Sequence, residues 1–121
     1  MSSFTAPLIV KKIGAHRWET FRDFDYYVGE EGSDDRITVH DGFQTDFASV
    51  PRAFWVVFPP DGKYTQAAVL HDYLYRVQER TRKESDDIFL EAMAVLGVNK
   101  IKRLIMYRAV RVFGRYRPKA F

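Results

Sequence analysis

Thr65-Gln66-Ala67-Ala68-Val69-Leu70-His71-Asp72-Tyr73-Leu74-Tyr75-Arg76-Val77-Gln78 runs fourteen residues without Gly or Pro. Ala68, Leu70 or His71, Tyr75 and Val77 fall on overlapping faces at helical spacing, which predicts a helix. His71 and Asp72 interrupt its predominantly apolar centre. Burying an imidazole and a carboxylate costs several kcal/mol unless each is hydrogen-bonded or metal-bound. His71 and Tyr75, at i and i+4, share a face, whereas Asp72 points about 100° away from His71.

A second helix is expected from about Lys83-Glu84-Ser85, with Ile88, Phe89, Ala92 and Leu96 spaced for burial and Gly97 as its C′ residue. If the two helices form an antiparallel hairpin, Asp86 falls opposite His71. It then holds Nδ1–H of the imidazole and leaves the other nitrogen free to act as a base. Asp72 is left to face a cation or an upstream loop. The alternative is a buried polar cluster that pins the two helices together. A third helix is expected over roughly 99–113, with Ile101, Leu104, Ile105 and Val112 inward and the basic residues largely outward, stopped by Gly114.

Upstream the pattern is that of strands. Pro7–Ile13 is β-branched and ends at Gly14. Trp18–Val28 has an imperfect period of two, broken by Thr20 and Arg22, and Arg36–Val39 returns beyond the turn Gly29–Asp35. The expected fold class is therefore α+β: one domain, with a small antiparallel N-terminal sheet of about three strands followed by three helices. Residues 1–50 are mainly β, 64–114 mainly α, and 115–121 form a basic tail. Between sheet and helices, Asp46 is placed to join Asp72 at a metal. Ser49 is placed to bind a substrate oxygen, or else caps backbone N–H groups ahead of Pro51. Tyr64 is a further substrate-binding candidate among the aromatics Phe54, Trp55, Phe58, Tyr73 and Tyr75. The run Phe54–Phe58 either packs in the core or forms an apolar mouth.

Composition narrows the function classes. The 121 residues are 46% hydrophobic and 29% charged, which suits a folded domain rather than a disordered chain. The absence of Cys excludes a disulfide framework, a thiolate nucleophile and a Cys-ligated zinc. No apolar run approaches the ~20 residues of a membrane span, and Met1–Pro7 lacks the basic start of a signal peptide. Eight of the 19 basic residues fall beyond position 99 with no acid among them, so the body is net acidic and the end strongly basic. Lys100, Lys102, Arg103, Arg108, Arg111 and Arg115 are thus candidates to contact phosphates or an acidic protein face.

Four blocks carry a resemblance: Thr45-Asp46-Phe47-Ala48-Ser49-Val50-Pro51-Arg52, Ala67–Tyr75, Asp86–Met93 and Met106–Gly114. In this order they look like a family of short, functionally uncharacterised proteins encoded mainly by tailed bacteriophages and prophages, over roughly residues 40–114. That resemblance implies a phage protein made in the host cytoplasm and open to association with the virion, whose partners are phage structural proteins or the bacterial envelope. His71-Asp72-x-x-Tyr75 followed by Asp86-x-x-Phe89 is also similar to the active-site helices of phospholipase A2 enzymes, most of all the disulfide-free domain of parvovirus capsids. This second likeness implies His71 as general base, Asp86 orienting it, Tyr75 supporting the network, and Asp72 holding a divalent cation, calcium first, that polarises an ester carbonyl. Where those enzymes carry a glycine-rich calcium loop, Phe58–Lys63 holds a single glycine.

Three functions follow as expectations. The first is a small metal-dependent hydrolase acting on an ester at the cell envelope. The second is a non-catalytic phage tail or assembly protein with a structural His/Asp cluster. The third is a host-takeover protein that binds a bacterial partner or nucleic acid.

Overall fold

The computed structural model describes residues 2–14, 17–30, 32–45 and 64–113. The chain divides into two compact units, Met1–Asp46 and Phe47–Phe121. Among the described residues the elements are six short strands followed by three helices, an α+β fold as expected. Among the described residues no helix is long and apolar enough to cross a membrane.

The first unit holds two antiparallel three-stranded sheets where one sheet of about three strands was expected. The strands are β1 (Ser3–Phe4), β2 (Val10–Gly14), β3 (Arg17–Thr20), β4 (Phe24–Tyr27), β5 (Arg36–Val39) and β6 (Gln44–Thr45). One sheet has the order β1-β4-β5 and the other β2-β3-β6. The difference arises inside Trp18–Val28, which reads as one strand and is two. Thr20 is buried, and its hydroxyl bonds the carbonyl of His40 and the N–H of Phe43. The Asp23 carboxylate accepts the Asp41 N–H at 2.6 Å, which holds its pKa low. These side chains take over backbone groups at the break, so the ladder changes partner there. Beyond it the period of two is strict: Phe24 and Tyr26 face inward against Ile37 and Val39. Phe4 closes over them, its ring 4.7 Å from that of Tyr26.

The second unit contains α1 (Thr65–Val77), α2 (Arg82–Val95) and α3 (Lys100–Phe113), with α2 packed on both others. From Gln66 to Asp72 every residue of α1 is buried, as expected of a core helix. It ends with Gln78 in the left-handed region (φ 54°). α2 starts with a capping box: Thr81 accepts the Glu84 N–H while the Glu84 side chain reaches back to Thr81. It ends in a Schellman motif, with Val98 N–H on the Met93 carbonyl, Gly97 N–H on that of Ala94, and Gly97 at φ 80° where a Cβ would be strained.

One expectation for α3 is corrected. Ile101, Leu104, Ile105 and Val112 face outward, and the buried residues are Met106, Ala109 and Val110. Lys100, Lys102 and Arg108 keep to the expected basic outer face, and two arginines depart from it. Arg111 turns inward to Asp86, and Arg103 donates to the Val98 carbonyl. Arg82 of α2 donates to the carbonyls of Val110 and Arg111, which the helix end leaves without intrahelical partners. These bonds fix the register of α3 and decide which of its apolar faces is buried.

Candidate functional site

His71 and Asp86 are both fully buried. The facing pairs His71–Asp86, His71–Phe89 and Tyr75–Asp86 place α1 and α2 side by side and antiparallel, as the hairpin expectation required. The expected atom assignment is overturned. Nε2 of His71, not Nδ1, lies 2.7 Å from Oδ1 of Asp86. Nδ1 is the nitrogen left over, buried and, among the described residues, with no hydrogen-bond partner. The helical position of His71 directs the far end of its ring at α2, and Tyr75 and Phe89 stack on it at 4.1 and 4.6 Å between centroids.

Asp86 is the hub of the unit. Oδ1 receives His71 Nε2 and the Tyr75 hydroxyl. Oδ2 receives Arg111 Nη1 at 2.8 Å, with Arg82 Nε at 3.9 Å. Hydrogen bonds from α1 and α3 thus converge on one carboxylate of α2, with the Arg82 charge beside it. Burial alone would raise its pKa, but the bonds from His71, Tyr75 and Arg111 outweigh burial and hold it below the usual carboxylate value. For His71 the balance goes the other way. Burial dominates and pushes the imidazole below its ordinary value, against the pull of Asp86. The pair is therefore a neutral imidazole donating Nε2–H to a carboxylate, with the Nδ1 lone pair bare. Tyr75 is raised by burial first and then by its bond to Asp86, so it stays protonated.

Asp72 is buried, and its carboxylate lies 3.6 Å from Arg76 one turn on. Among the described residues no three His, Asp or Glu side chains gather as a metal-binding group. Calcium takes 6–8 oxygen ligands, and of the expected pair Asp72 lies within the described residues and Asp46 outside them. Asp46, Ser49, the run Phe54–Phe58 and Arg115 lie outside the described residues. Tyr64 is buried immediately before α1, where its carbonyl accepts the Ala68 N–H. Of the basic residues, Lys100, Lys102 and Arg108 are exposed.

The sequence offered Arg111 as a phosphate or acidic-face contact and did not single out Arg82, so neither was expected at Asp86. Arg82 stands one turn before Asp86, a spacing at which an ion pair is readable. Arg111 is 25 positions away and carries no local signal. Beside the hub a second, more open group forms: the Tyr107 hydroxyl donates to Asp87 at 2.6 Å and Lys83 reaches it at 2.7 Å. Both partners lower the Asp87 carboxyl, Lys83 the more.

Fold and site together define an α+β protein whose helical unit is built around a buried Asp–His–Tyr network clasped by arginine. Residues 18–110 match the family described as "protein of unknown function (DUF1353)", and the chain belongs to that family. It is 36% identical over 75 residues to "Uncharacterized protein y4jT" of Sinorhizobium fredii (strain NBRC 101917 / NGR234), covering 60% of this chain and 22% of that protein. A second protein of the same organism, "Uncharacterized protein y4iH", is 36% identical over 73 residues, covering 59% of this chain and 30% of its own. The matched segment thus spans less than a third of either relative. No solved structure gives a significant match.

Proposed function

We propose that the helical unit is a hydrolase centre in which Nδ1 of His71 activates water for attack on an ester. The observation that carries this reading is the polarity of the imidazole: Nε2 is tied to Asp86 and Nδ1 is unpartnered. A neutral histidine with one nitrogen anchored to a carboxylate has its tautomer fixed and its other lone pair unshared. Because His71 is fully buried, the reading requires the helices to open far enough to admit water and the ester to Nδ1. Nδ1 takes a proton from water as the water oxygen bonds to the ester carbonyl. The imidazolium so formed keeps its Nε2–H on Asp86, which stays ionised under Arg111 and Arg82. On collapse of the tetrahedral species the C–O bond to the leaving alkoxide breaks, and Nδ1–H returns the proton to that oxygen.

The test is an ester screen (acyl nitrophenyl esters, then phospholipid) with wild type and His71→Gln, each first shown to be folded by thermal melting. Hydrolysis that disappears in His71→Gln supports the base. A folded, active His71→Gln variant eliminates it.

A second reading is favoured by a different observation, the complete burial of His71 and Asp86. In it the network is a structural keystone, and the protein is a non-catalytic phage tail or assembly component, or a host-directed binding protein, that presents its helices to a partner. A wild-type protein inert across the screen, with Asp86 variants that unfold, supports this reading over the first.

A further inference from the structure

α3 has two apolar faces. Met106, Ala109 and Val110 are buried, while Ile101, Leu104, Ile105 and Val112 are 69, 41, 43 and 69% exposed. Spaced at i, i+3, i+4 and i+11, the exposed set forms one stripe along the outer side of the helix, with Arg108 within it. At about 100° per residue, Lys100 and Lys102 fall on opposite flanks of Ile101. Both lysines and Arg108 are exposed, and the 14 residues of α3 contain no acid. An aliphatic ridge with cations on both flanks is the pattern of a helix that lies in an anionic lipid interface, its lysine stems reaching out to headgroups.

We infer that the outer face of α3 docks the protein on an anionic lipid surface. Charge selects this occupant over a second copy, because two such faces would oppose lysine and arginine to their like. Residue type selects lipid over protein, because protein interfaces are poor in lysine whereas this aliphatic stripe is flanked by it; Phe113, 60% exposed on the Lys102 side, is a residue type that lipid-interface helices also carry. The ridge is convex and the helix, at about 21 Å from its 1.5 Å rise per residue, lies along the surface rather than across it. This inference rests on α3 alone and holds whether or not His71 is a catalytic base.

The test is co-sedimentation of the full chain with vesicles of equimolar phosphatidylglycerol and phosphatidylcholine, against phosphatidylcholine alone. Two double variants at exposed positions, Ile101→Gln/Ile105→Gln and Lys100→Gln/Lys102→Gln, are included with thermal melts to show that they fold. The expected result is binding to the anionic vesicles only. The isoleucine variant abolishes it, and each lysine removed weakens it about fivefold at low salt. Any of three results overturns the inference: no binding to the anionic vesicles, binding unchanged in the isoleucine variant, or capture of an acidic amphipathic peptide by a protein that ignores the vesicles.

Discussion

Nε2 of His71 lies 2.7 Å from Oδ1 of Asp86, and neither side chain is reached by solvent. The contact joins α1 to α2, while the other oxygen of the same carboxylate joins α2 to α3 through Arg111. A buried pair of this kind is costly to break from one side only, since the partner left behind keeps its desolvation without its compensation. Stability and any chemistry at His71 therefore share one group.

Asp86→Asn is expected to destabilise the protein by about 3 kcal/mol, because the amide keeps an acceptor for one donor but leaves the arginines without a counter-charge. Urea unfolding measures it. A loss under about 0.5 kcal/mol, the range of ordinary surface changes, would show that the hub does not hold the helices together.

Arg111 and Arg108 lie on the same helix with different surroundings. Arg111→Gln removes a hydrogen bond to a buried carboxylate and is expected to cost about 1–2 kcal/mol, the lower part of the range for charged partners because the guanidinium is one-third exposed. Arg108→Gln, at an exposed position, is expected to change stability by less than about 0.5 kcal/mol. Equal effects in parallel thermal melts would contradict the inward turn of Arg111.

The pH dependence follows from the direction of the His71 shift. Burial lowers the imidazole in the folded state below the unfolded value of 6.5. Its contribution is therefore fully present above pH 6.5 and is lost as pH falls from there toward the folded pKa, since only the unfolded chain takes up the proton. The slope for this one group approaches about 1.4 kcal/mol per pH unit. Asp86, also lowered, adds a second loss below its unfolded value of 3.8. Unfolding free energies between pH 8 and 5 check the histidine contribution, which His71→Asn removes. An unchanged pH profile in that variant would assign the dependence to other groups.

Thr81→Ala is expected to cost about 1 kcal/mol by removing the oxygen that accepts the Glu84 N–H in the α2 capping box. A chemical denaturation curve checks it, with Ser33→Ala, in the strand unit, as a comparison outside the helices.

The helices and the His71–Asp86 pairing were legible because their signals are local. A gap-free apolar period marks α1, Gly97 marks the end of α2, and a fifteen-residue offset across a short hairpin carries Asp86 to His71. The nitrogen that Asp86 engages was not legible, since it depends on the ring's orientation rather than on spacing. The face of α3 was misread because both of its sides are apolar. Only the long-range bonds from Arg82 and Arg111 choose between them. The division of Trp18–Val28 into two strands depends on buried hydrogen bonds of Thr20 to residues 20 and 23 positions away, which no period reports.

The most direct measurement is the ¹⁵N spectrum of the imidazoles at neutral pH, with His71 assigned by its absence in His71→Asn. The account predicts a neutral His71 protonated on Nε2, with the chemical shift of a bare lone pair on Nδ1, and a titration below the ordinary histidine value. A proton on Nδ1, or an imidazolium at neutral pH, would contradict it, because neither species leaves a base on the nitrogen that Asp86 does not hold.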